Sequence, residues 1–377
     1  LENQRGKQNG RISEFKTLVD SVSTLDAVVL DAASSIGSAL DQFFASAGAL
    51  SRDNESVSFK AQFFASATQL SERFSGVNDT INALRDGSVY GAKEAVQNVN
   101  RLASQLTEIN QKIVETVQTG SLAPAPDLLD RRDQLLMSLQ QELGGQVVIS
   151  PDGLANFFVN GNPIVGLNGA ATLSFQNDSV YLSLSSNPNA IGSRFAIEGN
   201  ASGRVKAYIS LLNDFVPDIE FRIGEIAKSV ADTVNAKLTS AGMQPEPGGE
   251  MFAYDVDADT GAISNFRLRD DLDTSASVIL ASEAKAIEGI RLDPDSPVTQ
   301  WASVTTFVGG EVASWRADLD AASIVAQRLD QDRERISGVN LDEEAANLIR
   351  FQQLYGAAAK VLQMGSQLFD QLLSILR

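Results

Sequence analysis

Carboxylates are the side chains of this sequence whose number and spacing could support chemistry, because the chain contains no histidine and no cysteine. Without these residues there is no imidazole base, no Ser-His-Asp or Cys-His nucleophile system, no thiolate zinc site and no disulfide. Pairs such as Asp270-Asp271 and Glu343-Glu344 would suit a glycosidase only if two carboxyl groups faced each other at about 5 to 10 Å across a cleft. The composition therefore favours a protein that is not an enzyme, with a carboxylate-based glycan hydrolase as the alternative.

The alternating aspartates of residues 255–259, followed by Gly261, resemble the start of a calcium loop. An EF-hand loop has glycine at its sixth position and a bidentate glutamate at its twelfth. Counted from Asp255, those positions hold Thr260 and Phe266. We therefore predict a solvated acidic turn without a specific metal ion, and no cofactor elsewhere in the chain.

The charge and hydropathy of the chain limit its partners. Lys and Arg total 30 and Asp and Glu total 48, so the formal charge is 30 − 48 = −18. A chain this acidic repels phosphate backbones, which excludes nucleic acid as an expected partner. No apolar run approaches the roughly 18 residues of a membrane-spanning helix, so no membrane partner is expected either. The 43% of apolar residues predicts a sizeable core and, at this length, two or three domains.

Residues 1–143 show helical periodicity. The hexapeptide QFFASA occurs twice, at 42–47 and 62–67, which predicts two amphipathic helices around a turn at 52–54. The residues predicted to face inward are Phe44, Ala47, Phe63, Ala67, Leu70 and Phe74.

A coiled-coil seam is predicted from Val99 to Val117, where apolar residues step by three and four. Three glycines between residues 76 and 91 are expected to interrupt the helix before this seam. A further helix over residues 127–143 is predicted to end at Gly144-Gly145.

Residues 146–185 change to a period of two. Val180, Leu182 and Leu184 alternate with polar residues, which predicts a small antiparallel sheet with one solvated face. The turns between its strands are predicted at Pro151-Asp152-Gly153, Asn160-Gly161 and Asn177-Asp178.

Helical periodicity returns over residues 199–242, with a break or kink expected at Pro217, and again over 304–340. Between them, a strand is expected at 262–268 and short helices around Ala281. We therefore predict a mainly α fold with β insertions (α+β), in which an elongated, discontinuous helical and coiled-coil domain carries a small antiparallel β domain. The predicted segments are 1–143 (helical), 144–198 (antiparallel β), 199–242 (helical), 243–303 (irregular or β excursion), 304–340 (return helix) and 341–377 (C-terminal heptad helix).

The C-terminal segment carries apolar residues at intervals of seven, namely Leu341, Leu348, Tyr355, Leu362, Phe369 and Leu376. Parallel lines that include Phe351 and Leu372 widen this seam enough for more than one partner helix. Asn340 and Glu343 match a capping box at the start of the helix. Two interpretations remain open: a terminal helix docked on the body of its own chain, and a helix that assembles with other chains.

The sequence around this helix resembles a known family signature. Residues 337–348 read SGVNLDEEAANL, and FQQLY at 351–355 and AAKVL at 358–362 continue the stretch, which closely resembles the C-terminal signature of bacterial flagellar axial proteins. LLDRRDQLL at 128–136 resembles the segment before the β domain in the hook-associated protein 1 family, except that Arg131 replaces the usual Gln. Phe43-Phe44 and the helix of Phe74 are similar to that family's N-terminal helical hairpin, so the resemblance covers nearly all the chain and is weakest at 243–300.

The resemblance implies a structural subunit of the bacterial flagellum that joins hook to filament through helical packing. It implies an extracellular location, reached through the flagellar type III route without a cleaved signal peptide. The implied partners are the flagellar hook protein, hook-associated protein 3, an export chaperone and further copies of the chain in a junction ring. The residues expected to bind them are Leu341, Leu348, Phe351, Tyr355, Leu362, Phe369, Leu372 and Leu376.

The C-terminal signature alone is shared with other flagellar axial proteins, so hook-associated protein 3, hook protein or rod protein remain alternatives. The segment at 130–136 argues against them. Members of the family also open with an N-terminal heptad helix, and on that basis we expect the chain to be truncated at its N-terminus.

Overall fold

The computed structural model describes residues 2–33, 35–118, 125–151, 153–166, 169–183, 193–194, 201–238, 242–244, 250–257, 262–337 and 341–375. The chain is divided into two compact units. One comprises Glu2–Ala326, and the other comprises Gln327–Arg377 with Leu1. None of the described helices combines the length and apolar character that crossing a membrane requires.

Helices dominate both units. They are α1 (Glu2–Leu30), α2 (Ile36–Arg52), α3 (Val57–Gln118), α4 (Pro126–Leu143), α5 (Arg204–Ser210), α6 (Val216–Asn235), α7 (Ala281–Ile290), α8 (Pro297–Ser337) and α9 (Leu341–Ile375). Helix α8 begins before the predicted Val304, because Ser296 caps it by accepting the Thr299 N–H (3.3 Å) and Pro297 occupies its first turn.

The duplicated QFFASA segments lie opposite each other in the α2–α3 hairpin. Phe43 and Phe63 are fully buried with ring centroids 5.1 Å apart, and the buried hydroxyls of Ser46 and Ser66 are 2.7 Å apart. The duplication therefore produces a hairpin in which each helix presents the same face to the other. The predicted inward-facing residues are all buried, namely Phe44, Ala47, Phe63, Ala67, Leu70 and Phe74.

Helix α3 is continuous over 62 residues, so the predicted interruption at Gly76, Gly87 and Gly91 is wrong. A glycine within a helix costs about 1 kcal/mol relative to alanine, which the packing of a long helix offsets. Gly91 is also required for close packing, because a Cβ atom there would lie 2.3 Å from the Tyr208 ring.

The chain is helical from Arg204 to Asn235, so it does not break at Pro217, and the kink that was the other form of this expectation stays a prediction. Helix α5 passes into a π turn at Leu211–Phe215, and α6 follows with Pro217 in its first turn. Proline removes one i→i−4 hydrogen bond from a helix. The wide turn directly before it accommodates this loss without ending the helix.

The strands form three small antiparallel sheets. In the first, β1 (Gln146–Ile149), β2 (Ala155–Val159), β3 (Asn162–Gly166) and β4 (Gly169–Ala170) are neighbours in that order. The second is β5 (Thr172–Gln176), β6 (Ser179–Ser183) and β7 (Ser193–Arg194), and the third is β8 (Phe252–Val256) with β9 (Ile263–Leu268). The predicted strands at 146–183 are found, but they divide between two sheets instead of forming one, and Leu184 lies outside the described residues. Asn160 (φ 49°) and Gly161 (φ 80°) form the predicted hairpin turn.

The excursion between α6 and α8 packs into the helical core through aromatic rings. Phe252 of β8 lies 5.6 Å from Phe43 and 4.8 Å from Phe266, measured between ring centroids. Phe266 of β9 in turn lies 4.7 Å from Phe74. The β8–β9 hairpin is therefore part of the core that α2 and α3 build.

Asparagine side chains on helices hydrogen-bond the strand backbones. Buried Asn110 of α3 donates to the Ala155 carbonyl (2.8 Å) and accepts the Ala155 N–H (3.0 Å). Asn100 makes the same pair of bonds with Leu173 (both 2.8 Å). Asn3 of α1 does so with Val147 (2.8 and 2.9 Å). Each carboxamide replaces the missing neighbour strand, because it offers one donor and one acceptor to one residue.

Asn235 fixes the third sheet in the same way. Its amide donates to the Phe252 carbonyl (2.9 Å), and its oxygen accepts the N–H groups of Met251 and Phe252 (2.9 and 3.1 Å). Helix asparagines thus connect the first strand of each sheet (β1, β5 and β8), and also β2, to the helical body.

The chain segments that lead into and out of the first two sheets, around Gly144 and Ala201, lie side by side. We call this region the neck. Gly144 and Ala201 form an antiparallel bridge, and Gly144 has φ 67°. Helix α1 crosses this point at Gly10, where a Cβ atom would lie 2.4 Å from Ser202 Oγ and 2.8 Å from the Gln140 carbonyl. Only glycine permits this approach of three segments.

Two buried glutamates hold helix α5 at the neck. Glu142 of α4 pairs with Arg204 (3.2 Å) and accepts a hydrogen bond from Asn98 (2.7 Å). Glu14 of α1 pairs with Lys206 (3.2 Å). Burial raises the pKa of both carboxyl groups, although the neighbouring cations act in the opposite direction.

We predict that Asn110→Ala destabilises the first unit by about 2 to 4 kcal/mol, because two buried backbone groups of Ala155 lose their partner. Urea unfolding followed by circular dichroism measures the change. Asn3→Ala is the matched control, since water can replace the exposed Asn3 amide, and it should cost less than about 1 kcal/mol. Equal costs for the two variants would contradict the structural role of Asn110.

We predict that Glu142→Gln gains stability relative to the wild type as pH rises. The folded-state pKa of Glu142 is raised above its ordinary 4.5, so the glutamate's stabilising contribution is complete below pH 4.5 and is lost as pH rises through the folded pKa. The variant has no such loss. Free energies of unfolding measured at about pH 4 and pH 7 should show the difference, variant minus wild type, increasing with pH. A decreasing difference would mean that Arg204 outweighs burial.

Candidate assembly interface

The predicted binding residues lie on helix α9, which extends over 35 residues or about 50 Å. Leu348, Phe351, Tyr355 and Leu362 have between 58% and 81% of their surface exposed. Leu341, Phe369 and Leu372 lie on the same helix, whereas Leu376 and the predicted cap Asn340 lie outside the described residues. The predicted residues that the structure describes therefore share one side of a helix, where the side chains of Leu348, Phe351, Tyr355 and Leu362 are exposed to water.

The sequence of α9 explains why it is helical. Between residues 341 and 375 it has no proline, and it is rich in Ala, Leu and Gln, which have high helix propensity. Three acidic residues, Asp342 to Glu344, occupy its first turn, where the helix dipole favours negative charge.

Sequence reasoning missed one further line of apolar residues on α9. Leu354, Val361 and Leu368 are all exposed, and they too are spaced by seven. At 100° per residue, this line and the lines through Leu362 and Ala359 cover an arc of about 160°. The repeat of seven was the signal that could have identified them. An arc of this width is broader than a two-helix seam, so it can contact two neighbouring helices at once.

Asp255, the first residue of the acidic cluster, is hydrogen-bonded within the protein. Asp255 accepts hydrogen bonds from Asn265 (2.8 Å) and Arg267 (3.1 Å), and these bonds lower its pKa, with Asn265 as the larger influence. Asp259 and Gly261 of the predicted turn lie outside the described residues. In the part of the chain that the structure describes, no group of three or more acidic side chains is arranged to hold a metal ion.

Of the acidic pairs considered for glycan hydrolysis, the structure describes the side chains of Asp270-Asp271. Asp270 and Asp271 are exposed and pair with Arg267 (3.4 Å) and Arg269 (2.6 Å). Glu14 and Glu142, whose pKa values are raised, are each held by a cation at the neck. Each of these four carboxylates is therefore part of an ion pair within the protein.

Comparison with known families decides the identity of the chain. Residues 22–252, more than half of the 377-residue chain, match the family described as flagellar hook-associated protein FlgK helical domain. The chain belongs to the FlgK family. This is the family of hook-associated protein 1, a component of the hook–filament junction, and the predicted family and structural flagellar function are confirmed over the alternatives. Residues 331–375 match the family described as flagellar basal body rod FlgEFG protein C-terminal.

Relatives of the FlgK family match nearly the whole chain. Flagellar hook-associated protein 1 of Salmonella typhimurium (strain LT2) is 23% identical, over 98% of this chain and 86% of the relative. The protein of the same name from Bacillus subtilis (strain 168) is 22% identical, over 99% of this chain and 83% of the relative. The protein from Escherichia coli (strain K12) is 21% identical, over 100% and 87%.

A solved FlgK structure supports the fold. The flagellar hook junction protein FlgK from Burkholderia pseudomallei matches with a TM-score of 0.58 and 21% identity, over 67% of this chain and 47% of that chain. The match thus spans about half the length of the solved chain. The predicted mainly α fold with β insertions is confirmed, whereas the predicted domain boundaries stay a prediction.

We predict that the 255–259 segment binds no calcium ion more tightly than about 10⁻⁴ M. Asp255 is already neutralised by Arg267, and the sequence lacks the glycine and glutamate that the loop requires. Isothermal titration of the full chain with calcium chloride measures the affinity. A tighter site that Asp255→Asn removes would contradict the prediction.

Proposed function

We propose that this chain joins hook to filament as a structural subunit that works by helix packing and not by catalysis. The observation that carries the proposal is the exposed apolar arc of α9, defined by Leu348, Tyr355 and Leu362 with their flanking lines. The match of residues 331–375 to the C-terminal family of rod proteins supports an axial role for this helix. In this proposal the location is the extracellular flagellum, reached through the flagellar type III apparatus without a cleaved signal peptide.

The exposed arc is large enough to drive association. Burying one large apolar side chain contributes about 1.5 to 3 kcal/mol, so six such residues on α9 supply on the order of 10 kcal/mol. Association also costs free energy through lost translation, rotation and side-chain freedom. The free energy of burial offsets this cost of association only when the whole apolar arc is buried. This favours a partner that lies along the full length of α9.

We infer that two sets of partners use this face in turn. An export chaperone covers it before assembly, and helices of the neighbouring axial subunits cover it afterwards. Those subunits are the hook protein, hook-associated protein 3 and further copies of this chain in a junction ring. Both sets recognise the same anchors, because a helix in a groove is read through residues spaced by three, four and seven. The binding residues are Leu341, Leu348, Phe351, Tyr355, Leu362, Phe369, Leu372 and Leu376, joined by Leu354, Val361 and Leu368.

Leu362→Asp tests the proposal. The variant places a charge in the middle of the exposed face, so chaperone affinity should fall at least tenfold, the equivalent of about 1.4 kcal/mol, and junction assembly should fail. The chaperone affinity is measured by titration calorimetry, and assembly by microscopy of flagella on complemented cells. Gln367→Asp, which adds the same charge outside the apolar arc of the same helix, is the matched control and should bind and assemble normally.

Thermal unfolding of the same variants separates assembly from folding. The transition of the Glu2–Ala326 unit should be unchanged by Leu362→Asp. A lower transition temperature with unchanged chaperone affinity would mean that α9 is a terminal helix docked on its own chain, and the proposal would be wrong.

A further inference from the structure

The tip of the β2–β3 hairpin is an exposed Asn-Gly turn. Asn160 and Gly161 are both exposed, and the register pairs Val159 with Asn162 on either side of them. The φ angles of Asn160 and Gly161 are 49° and 80°. Positive φ at both central residues of a two-residue hairpin loop defines a type I′ turn.

An asparagine followed by glycine can react with its own backbone. The backbone nitrogen of Gly161 loses its proton and attacks Cγ of the Asn160 side chain, and the new N–Cγ bond closes a cyclic imide. The side-chain nitrogen gains a proton and leaves as ammonia. Water then opens the imide at one of its two carbonyl carbons and yields aspartate or isoaspartate. The reaction consumes one water and needs no oxidant or cofactor.

The type I′ turn itself is the wrong geometry for this attack. Its first central residue has ψ of about +30°, which places the Gly161 nitrogen on the far side of the Cα–C bond from the Asn160 Cβ. A type II′ turn has ψ of about −120° at the same residue, which brings the nitrogen alongside Cβ. A rotation about the Cα–Cβ bond then brings Cγ within its reach.

The hairpin allows the change from type I′ to type II′. Both types close a two-residue hairpin, so the strand register is kept, and only the peptide group between Asn160 and Gly161 rotates. The φ of Gly161 changes sign in this rotation, which glycine accepts without strain. Chain neighbours apart, no atom of the part of the chain that the structure describes lies within 4 Å of the point where a Gly161 Cβ would be.

We propose that Asn160 is a site of self-modification, deamidated in the folded protein through rotation of the Asn160–Gly161 peptide group. The product carries a negative charge in a stretch, residues 143–193, whose charged residues are otherwise Asp152 and Asp178. Isoaspartate also lengthens the main chain by one carbon atom within the two-residue turn. The reaction does not depend on the function of α9.

The same dipeptide occurs in α1 as Asn9-Gly10, where the fold prevents the reaction. A ψ of about −120° at Asn9 would break the helix, whose residues have ψ of about −42°. Gly10 is also buried in the neck, where even a Cβ atom would lie 2.8 Å from the Gln140 carbonyl. Asn9 therefore reacts only when the unit unfolds. A third pair is Asn168-Gly169, of which Asn168 lies outside the described residues.

A comparison of the two dipeptides within one chain tests this proposal. The full chain is incubated in mildly alkaline buffer, because the attack requires loss of the Gly161 N–H proton, and deamidated peptides are measured over time by mass spectrometry. We expect Asn160 to deamidate at least about tenfold faster than Asn9, since a loop tip opens at a smaller free energy than a packed helix. In urea, where the unit is unfolded, the two rates should be similar.

Asn160→Gly is the control for assignment, because glycine fits the turn and removes the side-chain amide, so the product from this peptide should disappear. Equal rates at Asn160 and Asn9 in the folded chain would mean that both react through unfolding, and the proposal would be wrong. A rate at Asn160 that falls more than about a hundredfold between the urea-unfolded and the folded chain would overturn it as well, because the turn would then stay closed.

Discussion

Hydrogen bonding of strand backbones by helix asparagines is the interaction on which the arrangement of this protein depends. Small sheets leave edge N–H and C=O groups exposed, and a buried group without a partner costs about 1 to 3 kcal/mol. Asn110 and Asn100 of α3 provide these partners for Ala155 and Leu173. Because each of these two carboxamides bonds a single residue, it fixes the position of a strand along the helix as well as its distance. The sheets are therefore held at defined places on α3 and do not hang from it by their connections alone.

The neck completes this rigid attachment. Gly10, Gly144 and Ser202 bring three segments together, and the pairs of Arg204 with Glu142 and of Lys206 with Glu14 fix the first turn of α5. Buried ion pairs contribute little net stability, because desolvation offsets the attraction, but breaking one leaves a costly buried charge. Their effect is thus to select one arrangement of α1, α4 and α5. The β sheets are thereby held in one position relative to α1, α4 and α5.

Local sequence patterns predicted which segments are helices and which are strands. They could not predict features that depend on contacts between residues far apart in the sequence. Periods of 3.6 and 2 identified the helices and strands, and the Asn160-Gly161 turn was recognised because its chemistry is local. The Asn3–Val147 bridge joins residues 144 positions apart, and an asparagine in a helix gives no signal of such a partner. Gly91 was misjudged for the same reason, since only the distant Tyr208 explains it. The α9 face was predicted from its repeat, and the line of Leu354 was missed because it flanks a stronger one.

Helices α3 and α9 carry similar repeats of apolar residues, but they differ in whether those residues are buried or exposed. The seam of α3 is covered by its own chain: Val99, Leu102 and Leu106 are buried in a core with α4 and the first sheets. The described side chains of α9 from residue 345 to 368 are all exposed. A repeat of apolar residues suits both folding and assembly. Whether such a helix is buried depends on whether other helices or strands pack against it. Apolar side chains that stay in water have not yet gained the free energy of burial, and in the proposed function a partner supplies that burial for α9. The proposed function assigns folding to the Glu2–Ala326 unit and assembly to α9, so that the two processes depend on different residues.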